Sequence, residues 1–309
     1  MRYLITGGCG FIGVNLIDLL LEKTDAEMIV LDNLSEGRES DLPDTSRVTF
    51  VKGDITKKED VDRAIDGCSA VVNLAAQTGV VPSMDDPATD ARINVLGFLN
   101  VLLAARDAKI NRVVHASSAA PVGEQEMPIH EEKLPSPMSP YAASKLSGEG
   151  YASAFAHSFG MNTVVLRFSN AYGPRSYHKG SVIAKFMKRV QEGKPLVVYG
   201  DGEQTRDFVH VKDISTAIYK SMTCNLEGFN LFQIGTGVET SINQLVELFK
   251  QHFDVPVSYE EPRAGEMVRN FADISKARRM LGYEPTIGLD KGLEETFEWF
   301  RKYLAEKNA

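Results

Sequence analysis

Cysteine is scarce in this sequence, since 309 residues contain only Cys9, Cys68 and Cys224. They are far apart, odd in number and not spaced like metal ligands. This excludes a disulfide-stabilised secreted domain and predicts free thiols and no metal site. No uninterrupted run of about 18 apolar residues occurs, so we expect no membrane span. Residues 1–6 already have the pattern of a strand and not of a signal peptide, which favours a cytoplasmic protein.

A surplus of positive charge is missing as well. Lysine and arginine total 34 against 42 aspartate and glutamate residues, which leaves a net charge of −8. Such a chain, without a basic run, is a poor partner for nucleic acid or an anionic membrane. A phosphorylated ligand would need a positive site built locally, from a few arginines and helix N-termini. The apolar share of 43% suits a globular protein with a full core.

The first half of the chain alternates short apolar runs with helical stretches. The runs predict buried strands at 3–6, 28–31, 48–51, 70–74, 112–116 and 163–168. Between them, helical patterns occur near 11–23, 57–66, 88–108 and 141–159. This alternation predicts a doubly wound α/β fold, in which helices cover both faces of a parallel sheet.

From about residue 170 the composition changes. Proline, glycine and tyrosine become frequent, and helical patterns follow near 180–192, 241–252, 274–281 and 289–303. We predict a smaller second lobe that caps the sheet. Because no repeat or low-complexity linker separates the two parts, the lobes should be packed together.

A glycine-rich turn follows the first strand directly. Gly7, Gly10 and Gly13 lie in the segment Thr6-Gly7-Gly8-Cys9-Gly10-Phe11-Ile12-Gly13, which opens a helix with an apolar stripe. In such turns one glycine makes the tight bend, one admits a pyrophosphate, and one lets the helix lie close to the strand. The pyrophosphate then sits on the free amides of the helix N-terminus.

Two acids follow the next two strands. Asp32 ends the second strand, 19 positions after Gly13, where dinucleotide-binding folds hold the ribose. A carboxylate there repels a 2′-phosphate, so we predict NAD and not NADP, the alternative for Asp32 being a solvated loop acid. Asp54 has two interpretations of equal weight: a hydrogen bond to adenine, or the N-cap of the helix near 57–66.

Tyr141 and Lys145 are four positions apart at the start of a helical stretch, so they share one face. A free tyrosine, with a pKa of about 10, is a poor base, and a lysine ammonium together with a nicotinamide ring would favour its phenolate. Ser118, in the pair Ser117-Ser118, ends a strand at the ligand-binding edge of the sheet. Alone, such a pair is common on ordinary helices and such a serine can merely cap a strand. The glycine turn upstream favours an active site.

Together these motifs resemble the extended short-chain dehydrogenases/reductases that modify nucleotide sugars, and the resemblance covers nearly the whole chain. It implies a Rossmann domain for NAD at residues 1–169, with a returning segment at about 207–232. Residues 170–309 would form mainly the smaller α/β lobe that binds the nucleotide sugar. The resemblance assigns catalysis to Ser118, Tyr141 and Lys145, of which the last two also contact the cofactor. Further cofactor contacts are implied for Phe11, Ile12, Asn33, Asp54, Ile55, Leu74, Ala75, Ala76 and Asn94.

The same resemblance assigns the nucleotide sugar. Asn170, Arg206 and Arg263 should face the diphosphate, because the planar guanidinium binds phosphate through two hydrogen bonds; alone, each arginine would be a surface ion pair. Glu266 should bind the nucleoside ribose. The remaining implied contacts are those of Gln77, Ser83, Ser118, Val182 and Tyr199.

The family shares an opening step in which tyrosine takes the proton of the sugar C4 hydroxyl while hydride passes to NAD. Related 4,6-dehydratases carry an Asp-Glu pair directly after the catalytic hydroxyl residue, whereas Ser118 is followed by Ala119-Ala120. The resemblance therefore implies 4-epimerisation of a nucleotide-linked hexose, through a transient 4-keto sugar. UDP-glucose, UDP-galactose and their N-acetyl forms are the expected substrates.

Three alternatives stay open. A dehydratase is possible because Pro121-Val122-Gly123 replaces the usual Val-Tyr-Gly turn and because Glu124 and Glu126 lie close by. A reductase would favour NADPH, for which Arg38 is the nearby basic residue. A non-catalytic sensor of the same fold would typically lack the tyrosine or the lysine, and both are present.

The family also forms homodimers through paired helices. Here the helices near 92–108 and 141–159 carry apolar stripes and predict such an interface, the alternative being burial within one chain. The stripe residues are Val95, Leu102, Leu103, Ala152 and Phe155.

Asn270 stands where relatives restricted to glucose and galactose tend to hold a tyrosine. Its smaller side chain predicts room for an N-acetyl group beside the sugar C2. Space alone creates no preference, because an unfilled pocket only forfeits contacts. The prediction is therefore tolerance of N-acetylated hexoses and not selectivity for them.

Overall fold

A computed structural model describes residues 1–262 and 267–308 of the chain. Its central sheet has seven parallel strands and confirms the doubly wound prediction. The chain reverses its direction of travel across the sheet between the first and fourth strands, and ligands bind at such reversals, beyond the carboxyl ends of the strands. In spatial order the strands are β11 (Phe229–Ile234), β6 (Asn162–Phe168), β5 (Arg112–Ser118), β4 (Ala70–Asn73), β1 (Arg2–Thr6), β2 (Glu27–Asp32) and β3 (Val48–Lys52).

Most helices of the described residues follow the predicted pattern. Two helices, Val80–Asp85 and Val211–Thr223, were not predicted, and Arg92–Gly97 is a π-helical turn within the helix predicted near 88–108. The α-helices are α1 (Phe11–Lys23), α2 (Lys58–Ile65), α3 (Val80–Asp85), α4 (Pro87–Ala91), α5 (Phe98–Asp107), α6 (Pro140–Phe159), α7 (Val182–Gln191), α8 (Val211–Thr223), α9 (Ile242–Lys250), α10 (Ser275–Leu281) and α11 (Leu289–Asn308).

The sheet buries both of its faces. Along β1, Tyr3 and Ile5 point into one core cluster and Leu4 into the other, because successive strand residues face opposite sides. The first cluster packs α1 and α8 against the sheet, and the second packs α2, α5 and α6. Strand β11 and helix α8 therefore complete the first lobe, although they follow the start of the second lobe in sequence.

The second lobe has small sheets and a core of its own. Its strands pair as β7 with β10, β8 with β13, and β9 with β12. Four phenylalanines, Phe186, Phe249, Phe297 and Phe300, are buried together there. The strands are β7 (Asn170–Tyr172), β8 (Leu196–Tyr199), β9 (Thr205–Arg206), β10 (Phe208–His210), β12 (Thr240–Ser241) and β13 (Val257–Glu260).

Two expectations about the apolar helices need correction. Among the described residues, the helical stretch Pro87–Asp107 is, contrary to expectation, long and apolar enough to cross a membrane. Its residues Val101 and Leu102 are nevertheless buried in the core, as in an internal helix of a folded domain. Leu102, Ala152 and Phe155, predicted for the dimer face, are buried in their own chain, so the alternative holds for them.

A buried ion pair joins α6 to the sheet beneath the predicted active site. Arg167 on β6 donates two hydrogen bonds to Glu149, from Nε at 2.8 Å and from Nη2 at 2.6 Å. The hydroxyl of Ser117 donates a third, at 2.6 Å. Neither charge is accessible to water, so each depends on the other for compensation.

We expect Glu149→Gln to lower the free energy of unfolding by about 3–5 kcal/mol, because it leaves the Arg167 guanidinium buried without a counter-charge. The double variant with Arg167→Met should recover part of that loss. Urea unfolding measures both. Glu284→Gln, in the exposed Arg278–Glu284 pair, is the matched control and should cause no measurable change. Equal losses in the single and double variants would contradict this role of the pair.

Candidate active site

The glycine turn brings two strand ends into contact. Gly7 has a φ of +68°, and a Cβ there would lie 2.6 Å from the backbone nitrogen of Ala75. At Gly13 a Cβ would lie 2.5 Å from the Cα of Gly8, so α1 can begin this close to the turn only without a side chain. Gly10 precedes α1, and Phe11 and Ile12 are its first residues. The turn therefore has the close backbone approach that a dinucleotide pyrophosphate requires.

Asp32 ends β2 beside this turn. Its two carboxylate oxygens accept hydrogen bonds from the backbone nitrogens of Cys9, at 3.0 Å, and Leu34, at 2.8 Å. Each oxygen retains a lone pair for a ribose hydroxyl. Asp32 is buried, and burial raises its pKa, so the interpretation as a solvated acid is wrong. Arg38, the basic residue named for the NADPH alternative, has its guanidinium carbon 5.9 Å from the centroid of the Tyr303 ring.

Asp54 is not the N-cap of α2, because Lys57 occupies that position, so that interpretation is wrong. Its Oδ1 accepts hydrogen bonds from the backbone and hydroxyl of Thr56, both at 2.8 Å, and its Oδ2 accepts one from Asn33 at 3.0 Å. The neighbouring Ile55 is buried, with its side chain in the core. The predicted contact of Asp54 with adenine stays a prediction, and Asn33 lies beside it.

The loop after β4, which holds Leu74, Ala75, Ala76 and Gln77, is fastened to the sheet and to α6. Asn94 makes the connection toward α6. Its side chain accepts a hydrogen bond from Gln77 N at 2.8 Å and donates one to Gln77 O at 2.9 Å. The same amide group lies 3.1 Å from the hydroxyl of Ser144 on α6. Asn94 sits in the π-helical turn, a feature frequent at functional sites. Its amide is thus committed to positioning the loop, and its predicted contact with the cofactor is untested.

Local sequence signals position α6. Ser139 accepts a hydrogen bond from the Ala142 backbone at its N-terminus, Pro140 occupies the first turn, and Gly160 ends the helix in the left-handed conformation. Tyr141 and Lys145 consequently lie in the first two turns, where α6 meets the carboxyl end of β5. The Tyr141 phenol lies beside the Ser118 hydroxyl, whose effect is to lower the pKa of the phenol, as the predicted catalytic set requires.

Burial raises the pKa of Tyr141 to about 12, against the opposing effect of the hydrogen bond to Ser118. The predicted phenolate depends on Lys145 together with a nicotinamide ring, so it stays a prediction. Lys145 Nζ donates to the Ala116 carbonyl at 2.9 Å and lies 5.9 Å from the centroid of the Tyr141 ring. Burial lowers the pKa of Lys145 to about 8.

Sequence reasoning missed two buried residues beside this set. Asp90 is buried on α4, where its Oδ1 accepts a hydrogen bond from Asn94 at 2.9 Å and its Oδ2 has no partner in the described part of the chain. Its charge raises the pKa of both Tyr141 and Lys145. The only available signal was a single acid on an apolar helix, which is too common to recognise.

His115 is the second missed residue, and it lies below Lys145. Its Nδ1 is 3.1 Å from the amide nitrogen of Asn73, whose Oδ1 accepts a hydrogen bond from Thr6 at 2.7 Å. Burial and the positive charge of Lys145 both hold the pKa of His115 well below its usual range. A neutral hydrogen-bonded chain therefore links β1, β4 and β5 under the predicted cofactor site.

A cavity of about 410 Å³ lies between α7 and the strands of the second lobe. Asn170, Val182, Tyr199 and Arg206 line it, so the structure brings together four predicted substrate residues from distant segments. Three basic residues of α7, which sequence reasoning missed, add to its wall: Lys185, Lys188 and Arg189. With Arg206 they give the wall four basic residues against one acid, Glu192, so the cavity has the positive character that a phosphorylated ligand would need.

Of the predicted substrate residues that the structure describes, Gln77, Ser83 and Ser118 do not line this cavity. Arg263 and Glu266 lie outside the described residues. Ser83 is buried on α3, and its hydroxyl donates to the Val80 carbonyl at 2.7 Å. Gln77 lies in the loop after β4, and Asn94 and Ser144 connect it by hydrogen bonds to the backbone of Tyr141. These assignments stay predictions.

The departure from the usual Val-Tyr-Gly turn has a structural counterpart. Val122 is fully buried in the core, and Gly123 has a φ of +70° with the Ser136 carbonyl only 2.0 Å from a Cβ position. Glu124 and Glu126 are exposed. The dehydratase alternative, which rests on these two glutamates, stays a prediction.

The fold and the site define a dinucleotide-dependent enzyme with a second lobe for a phosphorylated substrate. The model of the NAD-dependent epimerase/dehydratase family matches residues 3–235, and the chain belongs to this family. The predicted cofactor, NAD, is therefore confirmed.

Three relatives illustrate the similarity. A putative UDP-glucose 4-epimerase of Methanocaldococcus jannaschii is 38% identical over 306 residues, covering 96% of this chain and 98% of the relative. The UDP-glucose 4-epimerase of Thermotoga maritima, solved with UDP-glucose, has a TM-score of 0.92 and 35% identity, covering 98% and 100% of the two chains. A UDP-N-acetylglucosamine 4-epimerase of Methanobrevibacter ruminantium, with UDP-N-acetylmuramic acid, has a TM-score of 0.93 and 32% identity, covering 98% of each.

We expect Tyr141→Phe to retain the fold and NAD binding but to lower turnover by about 10²–10⁴-fold, the usual contribution of a general acid–base group. The phenol is the group that can exchange a proton beside Ser118. Circular dichroism and NAD titration check the fold and the cofactor, and product formation measures turnover. Near-normal turnover would refute the assignment.

We expect Asp90→Asn to move both limbs of the pH–rate profile to lower pH. Removing the carboxylate charge lowers the pKa of Tyr141 and of Lys145, so the base deprotonates, and the lysine loses its charge, at lower pH. Asparagine can still accept the hydrogen bond from Asn94. The control is Asp85→Asn, at an exposed position of α3. An unshifted profile, or an equal shift in the control, would contradict this effect of Asp90.

Proposed function

We propose that the protein catalyses the NAD-dependent 4-epimerisation of a nucleotide-linked hexose, with UDP-glucose and UDP-galactose or their N-acetyl forms as substrates. One observation carries the proposal. Tyr141, at the start of α6, lies beside Ser118 at the carboxyl end of β5, and Ser118 is followed by Ala119-Ala120 in place of an eliminating acid pair.

The roles of the residues follow from this arrangement. The cavity holds the diphosphate through Asn170 and Arg206, together with the basic residues of α7. The hexose would then extend toward Tyr141, where its C4 hydroxyl gives its proton to the phenolate oxygen. Ser118 donates a hydrogen bond that steadies that oxygen before and after the transfer.

NAD bound at the glycine turn and Asp32 supplies the positive ring that lowers the pKa of the Tyr141 phenol and the carbon that accepts and returns hydride. Lys145 contributes a second positive charge. It is buried, and its ammonium is held beside the Ala116 carbonyl. Epimerisation requires the 4-keto sugar to rotate in the site, so that it takes the hydride back on its opposite face. Tyr141 then returns its proton to the new C4 hydroxyl, so nothing is consumed.

The test is incubation of the protein with UDP-, dTDP- and GDP-hexoses in deuterium oxide, followed by NMR of the products. We expect a 4-epimer that keeps its C4 hydrogen, because that hydrogen leaves and returns as hydride. A 4-keto-6-deoxy product with deuterium at C5 would identify a dehydratase instead. No product from any hexose would refute the proposed activity.

Asn270 supports a wider sugar range. It is buried, with its Nδ2 3.7 Å from the sulfur of Met267, and its Oδ1 has no partner among the described residues. Arg206 donates to the carbonyl of the same Met267 at 2.9 Å, so Asn270 belongs to the surroundings of the proposed diphosphate site.

We expect the protein to accept UDP-N-acetylglucosamine beside UDP-glucose, and Asn270→Tyr to lose the N-acetylated substrate selectively. The larger ring would occupy the space of the acetamido group. Values of kcat/KM for the two substrates, in both proteins, measure the effect. Equal losses for both, or a native protein that ignores UDP-N-acetylglucosamine, would contradict this role of Asn270.

We infer a homodimer formed by the helices near 92–108 and 141–159, through residues other than the buried Leu102, Ala152 and Phe155. Those helices expose Leu96, Tyr151 and Phe159, and the neighbouring α3 exposes Val81 and Met84. Together they offer an apolar surface that the three buried stripe residues do not provide.

Light scattering at micromolar concentration should give twice the mass of 34.0 kDa. Leu96→Glu should yield the monomer, because it places a charge in an apolar interface. Leu134→Glu is the matched control, since Leu134 is exposed outside these helices. A native monomer, or two indistinguishable variants, would refute the interface.

A further inference from the structure

One loop of the second lobe lies along α1. Residues 173–179 make three contacts with it: the Pro174 carbonyl accepts a hydrogen bond from Asn15 at 3.2 Å, Arg175 forms an ion pair with Asp18, and Lys179 faces Phe11. Positions 11, 15 and 18 share one face of a helix. The loop therefore docks the substrate lobe onto the helix whose N-terminus would hold the cofactor pyrophosphate.

The loop holds Lys179 in a defined place. Ser176 is buried, its hydroxyl donates to the Gly173 carbonyl at 2.7 Å, and its own carbonyl accepts from the Lys179 backbone at 3.0 Å. The Lys179 ammonium donates to the carbonyl of Ala171 at 2.7 Å and lies 5.3 Å from the centroid of the Phe11 ring. Ala171 lines the cavity, and Phe11 is the first residue of α1, so the cation stands between the two ligand sites.

The charge of Lys179 is not compensated. Burial lowers its pKa to about 8, and in the described parts of the chain no carboxylate forms a hydrogen bond or an ion pair with it. Lys179 is half-buried. A cation partly removed from water without a counter-charge is unfavourable, and the positive end of a helix dipole nearby makes it more so. An anion bound between the ammonium and the helix N-terminus would relieve both costs.

We propose that Lys179 is a diphosphate-binding residue, which the substrate lobe delivers to the junction of the cofactor turn and the nucleotide-sugar cavity. Two ligands bring a diphosphate to this junction, NAD and the nucleotide sugar. Lys179 thereby couples the docking of the lobe to occupation of the site, because its charge is compensated only when a diphosphate is bound.

The test measures binding by calorimetry in the full-length protein freed of nucleotide, with NAD+ and UDP as diphosphates and AMP and UMP as their monophosphate counterparts. Lys179→Met should weaken the binding of NAD+, UDP or both by about tenfold or more, as expected for a charged hydrogen bond. Loss for NAD+ alone assigns Lys179 to the cofactor, and loss for UDP alone to the nucleotide sugar. The affinities of Lys179→Met for AMP and UMP should differ from those of the native protein by less than about twofold. Lys179→Arg should retain most of the affinity for the diphosphates.

The matched control is Arg175→Met, which removes another cation and another α1 contact from the same loop. If Lys179 had only a structural role, Lys179→Met and Arg175→Met would lose the same affinity for the diphosphates. The melting temperature of Lys179→Met would then also fall. Compensation by a ligand predicts instead that this temperature, without nucleotide, stays the same or rises. The proposal fails if both diphosphates bind Lys179→Met within about threefold of the native protein, if the monophosphates lose as much, or if Arg175→Met behaves identically.

The UDP arm rests on the proposed function, whereas the NAD+ arm rests on membership of an NAD-dependent family. Binding is measured without turnover, so an absent epimerase activity would leave the Lys179 result standing. Conversely, unchanged binding in Lys179→Met would leave the epimerase assay untouched.

Discussion

The close approach of two backbones at the carboxyl ends of β1 and β4 is the constraint on which the rest of the site depends. Gly7 permits it, because any Cβ there would collide with the loop that begins at Leu74. The same loop is held by Asn94, and Asn94 is held by Asp90 and approaches Ser144 on α6. A side chain at Gly7 would therefore displace the cofactor turn and, through this chain of contacts, the helix that carries the catalytic tyrosine.

A second consequence of the packing is electrostatic. Lys145 and the Glu149–Arg167 pair hold charge away from water, and Lys179 is half-buried, but only the pair is neutral on its own. The pair stabilises the fold, whereas the two lysines face positions where ligands are proposed to bind. Burial also raises the pKa of Tyr141, so the polypeptide alone leaves its base protonated. Both observations indicate a site whose charges balance only when its ligands are bound.

Elements set by local pattern could be predicted closely, as α6 illustrates. Its Ser-Pro start and Gly160 end are short-range signals, and the Tyr141–Lys145 spacing follows from the helical repeat. Predictions that needed to know what a surface packs against were weaker. The apolar stripe with Ala152 and Phe155 fits an interface and an interior equally well, and the structure buries it. Asp54 looked like an N-cap because the exact first residue of α2 depends on tertiary contacts.

The sequence by itself determined the alternation of strands and helices, the glycine turn, the acid after β2 and the order of the catalytic residues, because these depend on neighbours within a few positions. Only the tertiary structure decided which distant side chains share a space. It joined Asn170, Val182, Tyr199 and Arg206 in one cavity and set Asp90 beside Tyr141. It also placed Lys179 against Phe11. Such contacts arise from packing across long stretches of chain, and the charge environment they create has no local signature in the sequence.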